Sequence, residues 1–231
     1  METIITHPLT SLTLTLSAYS AFTWLQERSG GLAALNPAVW SILLCIAFIR
    51  LSGISYETYL EGVAPIDFLL GPVTVALAIP LYRLLDILRS DAKAVLSTVS
   101  FACIMSAFSA LGFAILFAAS EEMRRAILTK SVTAPIAIEI ANTTGTPASL
   151  AIMFVLATNI PWLLMSGVIF KAIRVSGERA QGLALGAVCH GLGTARAFQI
   201  SPVAGTYAVI GMSLMGVLSG IILPFVILAI L

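Results

Sequence analysis

KSVTAPIAIEI, Lys130–Ile140, decides how this chain must be read. It sets a lysine, two hydroxyls, a proline and a glutamate into a chain that is otherwise apolar. A membrane-crossing helix needs about 20 apolar residues, and Pro135 prevents one helix from running through the segment. An ionisable group at bilayer depth costs roughly 2.5–3.5 kcal/mol on insertion scales, so such groups face protein and mark substrate or ion pathways. The segment is therefore expected to be broken or re-entrant, with Lys130 and Glu139 turned to the protein interior. A second polar cassette, CHGLGTARAF at Cys189–Phe198, carries His190 and Arg196 between long charge-free stretches.

The rest of the chain agrees with a membrane setting. Of 231 residues, 59% are hydrophobic and 10% charged, against about 25% charged in a soluble domain; the mean hydropathy is +1.03. These values predict an all-α, polytopic protein, one integral membrane domain over residues 1–231 that crosses the membrane several times. Basic residues are scattered, which excludes a nucleic-acid surface. Cys45, Cys103 and Cys189 lack metal-ligand spacing and read as small buried thiols; no metal and no cofactor are expected. Glu2 stands where a secretory signal would carry positive charge, so the first apolar stretch reads as a retained helix.

Charge-free intervals set the expected spans. Thr3–Gln26, Ser29–Ile49, Ala94–Ser120, Ile140–Phe170 and Ala197–Leu231 are long enough for straight helices. Phe68–Tyr82, with Pro72 and Pro80, and Ala180–Ala195, with four glycines, are too short and must be bent or re-entrant. Arg83–Lys93 and Lys171–Arg179 are basic and belong inside; Arg50–Asp67 carries three acids and is read as an outer loop. With these sides fixed, the Pro135 segment enters and leaves on the outer side. Expected element starts at Asn36, Ile66 and Ala92 recur at Ala148, Glu178 and Ala204 with opposite orientation. That suggests an inverted repeat, with halves 36–119 and 148–231, of the kind that builds midplane sites in transporters.

The cassettes have a chemistry. A helix starting near Pro135 would aim free N–H groups at Lys130, Ser131 and Thr133, a ready anion site; equally, Lys130 snorkels and the hydroxyls cap the helix. Glu139 could carry a proton, coordinate a cation or pair with an arginine. In the second cassette Gly191 and Gly193 loosen the chain between His190 and Arg196. Arg196 could grip a carboxylate bidentately or snorkel at the membrane edge. His190 could couple proton movement or be a hydrogen-bonded core residue. Pro72 and Thr74, in GPVTVALAIPLY at Gly71–Tyr82, could offer a hydroxyl at a helix start or merely kink and pack. Lys130 beside Ser131 suggests a Ser–Lys dyad, but neighbours in a helix do not face each other, so no enzyme is expected.

LNP at Leu35–Pro37, GISYETY at Gly53–Tyr59, GPVTVALAIPLY, KSVTAPIAIEI and HGLGTARA at His190–Ala197 occur in one order over nearly the whole chain. In this arrangement the chain resembles the LrgB/CidB family. Cys189 stands where that family usually has serine, and Gly191 where it often has alanine. The resemblance implies a carrier of small monocarboxylates of the glycolate, glycerate, pyruvate and lactate class. It also implies the alternative long given for bacterial members, an antiholin-like regulator of murein hydrolase export and lysis. It implies a small LrgA/CidA-type membrane partner, and homo-oligomers in lipid are expected. On this reading Lys130, Ser131, Thr133 and Pro135 form one wall of a site, and His190, Gly193, Thr194 and Arg196 the other. Pro72 and Thr74 complete it, with Glu139 and His190 as coupling groups. The two cassettes should meet in space.

Overall fold

The computed structural model describes residues 6–76 and 78–230, and among these residues every regular element is helical. The chain forms two compact units, one ending at Val73 and one beginning at Thr74.

The first unit holds α1 (Pro8–Arg28), α2 (Pro37–Ser52) and most of α3 (Tyr56–Ala76). Asn36 caps α2, accepting from the backbone N–H groups of Ala38 and Val39 at 3.1 and 3.3 Å, and Gly53, at φ 71°, ends it. Small residues bring α1 and α3 together: a Cβ on Gly62 would lie 2.6 Å from Ser11 Cβ, and Thr15 Oγ1 meets the Tyr59 hydroxyl at 2.7 Å. The expected outer loop Arg50–Asp67 is instead largely helical, since α3 starts at Tyr56, ahead of Ile66. Charge-free counting missed this because Glu57, Glu61 and Asp67 ride on the helix, and Pro65 and Pro72 lie inside it.

In the second unit, α4 (Ala78–Arg83) and α5 (Leu85–Ser90) lead to α6 (Ala92–Leu116). Then come α7 (Glu121–Leu128), a 3₁₀ turn (Thr129–Ser131), α8 (Ala134–Thr144), α9 (Ala148–Ala172), α10 (Glu178–Ile200) and α11 (Pro202–Ile230). Three of these helices, α6, α9 and α11, are long and apolar enough to cross a membrane. Large apolar side chains such as Phe101, Phe108, Phe113 and Phe225 are exposed along them, as lipid-facing residues would be. The five expected straight spans thus reduce to three by length and hydropathy. α2 is shorter and α1 has the length but not the hydropathy, while the interval from Ile140 is cut at Gly145 (φ 67°) and Pro147 and still yields α9.

The segment around Pro135 is broken, as expected. α7 ends at Leu128, Val132 is extended, and α8 starts after Thr133 with Pro135 in its first turn. Eleven residues at 1.5 Å each give α8 about 16 Å, half a bilayer core. Arg125 of α7 donates to the Thr144 carbonyl at the far end of α8 (3.3 Å), so α7 and α8 form a hairpin, closed at its base by Arg125.

α10 reverses direction as well. His190, at φ 49° and ψ −121°, breaks the helix. These angles match the first central position of a type II′ turn, where glycine is usual. A Cβ on Gly193 would strike the Leu185 carbonyl, a contact that a straight helix forbids. Along α11, Ala204 and Ala208 lie against Gly182 and Gly186 of the rising limb, while Met212 and Gly205 meet Thr194 and Phe198 of the descending limb. The limbs, 178–189 and 191–200, are therefore antiparallel. Gly182 and Gly186 let two backbones touch, since a Cβ on either would collide with the carbonyl opposite. The reversal sits at His190 itself, not at the two glycines that follow.

Because α6 and α9, each long enough to cross a membrane, follow one another around the first hairpin, the two hairpins enter from opposite ends. α11 records both: its first half carries the α10 hairpin, and beyond Gly216, which faces Ile136, it packs against α8. Ile140, Ala141, Leu223 and Ile227 share one core there. The two tips meet at the middle of α11.

A polar junction where the hairpin tips meet

The 3₁₀ turn at the first tip touches α8, α9, α10 and α11. Its backbone brings Lys130 and Ser131 to one side, where Lys130 Nζ donates to Ser106 Oγ of α6 (2.8 Å) and to Ser131 Oγ (3.1 Å). The two hydroxyls meet at 2.5 Å. Sequence neighbours do face each other here, because the segment is a tight turn rather than an α-helix. Contrary to the expectation from helix geometry, Lys130 and Ser131 therefore touch. No carboxylate lies within ion-pair distance of Lys130 among the described residues.

His190 at the second tip is 2% exposed. Its ring lies near the Ser131 main chain and within the field of the Lys130 ammonium, but neither ring nitrogen closes a well-formed hydrogen bond. Thr133 takes the N-cap position of α8 without capping it, and its buried Oγ1 has no partner. Ser213 Oγ, on the stretch of α11 between the two hairpin contacts, is likewise buried and unpartnered. An unsatisfied buried polar group costs about 1–3 kcal/mol, and each hairpin tip carries one. Beside them Cys189 Sγ donates to the Asn159 carbonyl (3.4 Å). The Asn159 amide nitrogen, oriented by its surroundings, reaches the Val188 carbonyl at 2.7 Å, tying the second tip to α9.

The cassettes therefore meet through Lys130, Ser131 and His190, but not all expected members join them. Arg196 lies about 9 Å down the descending limb, bonds to Gln199 at 2.9 Å, and lines a cavity with Lys171 and Arg174 at the hairpin base. Thr194 donates to Met212 Sδ (3.9 Å). Gly193 is buried and permits the close return of the chain. Glu139 is exposed on α8, because one turn of helix carries it away from the tip. Pro72 lies exposed within α3; Thr74 is in the same helix, and its side chain lies outside the described residues. No cluster of three or more His, Cys, Asp or Glu that could hold a metal occurs among the described residues. Ser106, Asn159 and Ser213 escaped the sequence reading. Each is a lone polar residue in a long apolar helix, and that was the available signal.

Three apolar spanning helices and two broken helices that face each other define a polytopic α-helical membrane protein with paired re-entrant hairpins. The chain belongs to the LrgB-like family, whose model matches residues 15–229. It is 33% identical to the uncharacterized protein YxaC of Bacillus subtilis over 93% of each chain. It is 27% identical to the holin-like protein CidB of Staphylococcus aureus, over 84% of this chain and 85% of the other. It is also 27% identical to the antiholin-like protein LrgB of Bacillus cereus over 94% of each. No solved structure matches the chain.

Proposed function

We propose that this LrgB-like protein carries small monocarboxylates of the glycolate, glycerate, pyruvate and lactate class, bound where the two hairpin tips meet. The observation behind this reading is the pair of buried tip residues His190 and Thr133 with unpartnered polar atoms, together with a lysine that has no carboxylate partner among the described residues. A carboxylate offers two oxygens with about four acceptor positions. Lys130 would neutralise it; Ser131, Thr133 and the free N–H groups at the start of α8 would donate, with Pro135 fixing that start. His190 would donate from the opposite tip and is the better coupling candidate, since Glu139 is exposed. Hairpins entering from opposite ends suit alternating access, each tip opening its own side in turn. The inverted repeat over 36–119 and 148–231, homo-oligomers and the inner membrane belong to the same proposal.

A second reading has direct support of another kind. Relatives are named holin-like and antiholin-like, names that favour a regulator of lysis working with an LrgA/CidA-type membrane partner more than they favour a carrier. The carrier reading rests on geometry and the regulator reading on kinship. Flux through purified protein in liposomes separates them. A carrier gives saturable uptake that discriminates between similar acids, with or without the partner. A regulator gives no selective flux alone and changes that of the partner.

A further inference from the structure

A second polar site lies at the base of the α10 hairpin, away from the tips. A cavity of about 550 Å³ opens between the end of α9, the loop to α10 and the descending limb of α10. Lys171, Arg174 and Arg196 line it together with Ser166, Ser176 and Gln181, and no carboxylate does. Two acids beside the start of α10 are otherwise placed: Asp91 is taken by Arg179 at 2.9 Å, and Glu178 is not among the lining residues. The dipole at the C-terminus of α9 accounts for a cation such as Lys171, but not for Arg196, which another helix brings in. Arg174 closes α9 at φ 58°, with the Val175 N–H bonded to the Phe170 carbonyl at 2.9 Å. Glycine is the usual occupant of such a left-handed closing position, yet here it presents a guanidinium to the cavity. Three cations around one hollow match a multiply charged oxyanion. The end of a spanning helix is also where basic pockets meet anionic headgroups.

We propose that this cavity binds a phosphate group, from an anionic phospholipid headgroup or a soluble phosphate, through Lys171, Arg174 and Arg196. Occupancy would hold the hairpin base to the α9–α10 loop whatever fills the tip junction. Native mass spectrometry of the full chain, in micelles doped with phosphatidylglycerol or phosphatidylcholine, reads the binding. Phosphatidylglycerol should be retained at least tenfold over phosphatidylcholine. Retention that withstands millimolar inorganic phosphate assigns the lipid; displacement by phosphate assigns the soluble anion. The Lys171→Gln/Arg174→Gln/Arg196→Gln variant should lose tenfold or more of this retention. Arg174→Gly, which suits the backbone, should lose severalfold with its unfolding midpoint kept or raised. Arg89→Gln, removing an exposed cation paired with Asp86, should change nothing. Equal retention of the two lipids by the wild type with no phosphate adduct, unchanged retention in the triple variant and Arg174→Gly, or an equal loss in Arg89→Gln would overturn the proposal.

Discussion

Lys130 and Arg196 have similar surroundings in sequence and different ones in space. Each is a cation beside a helix breaker in an apolar chain. Lys130 ends at the meeting of two hairpin tips, its ammonium shared between Ser106 and Ser131. Arg196 ends at a hairpin base, among Lys171 and Arg174. What separates them is the reversal at His190, which sends the residues after it back toward the end from which the helix came. Isolation of a charge in sequence therefore does not give its depth; the direction of the chain gives the depth.

The contrast between tip and base can be broken at several points. The packing that holds the second hairpin should be the most sensitive. Gly186→Leu drives a side chain into the Ala208 backbone and should cost about 3 kcal/mol or more, seen as a lowered unfolding midpoint in detergent. At the tip, Lys130→Met should cut carboxylate uptake into liposomes about a hundredfold, the value of a buried charge-assisted contact, with the fold retained. His190→Ala and His190→Gly should lose uptake alike. Yet the glycine variant should be more stable by about 1 kcal/mol, because only glycine accepts φ 49° without strain. A glycine variant no more stable than the alanine one would mean that the reversal does not sit at His190. At the base, Asp91→Asn weakens contacts to Arg179 and Tyr207. With Arg179 68% exposed, the loss should stay below about 1 kcal/mol and leave uptake unchanged.

Much of the architecture was legible because hydropathy and proline report directly on what a bilayer permits. The break at Pro135, the re-entrant path of Lys130–Ile140 and the long spans of α6, α9 and α11 follow from that physics. The limits of α3 were not legible, since acids on a helix look like a loop when spans are counted by missing charge. The turn at His190 was hidden for a different reason. A residue other than glycine rarely takes φ 49°, and Gly191 and Gly193 drew the reading two residues along. Lys130, Ser131 and His190 were readable as rare polar groups. Ser106, Asn159 and Ser213 were not, because a single hydroxyl or amide in an apolar helix has many ordinary uses, and only the packed tips single them out.

The claim that a small anion sits between the tips is tested most directly by equilibrium binding of labelled glycolate and pyruvate to the purified chain. Wild type, Lys130→Gln and Arg196→Gln should be compared at equal folded protein. Saturable binding should weaken at least about tenfold in Lys130→Gln, as loss of a charged hydrogen-bond donor requires, and stay within about twofold in Arg196→Gln. Binding untouched by Lys130→Gln, or abolished only by Arg196→Gln, would contradict it.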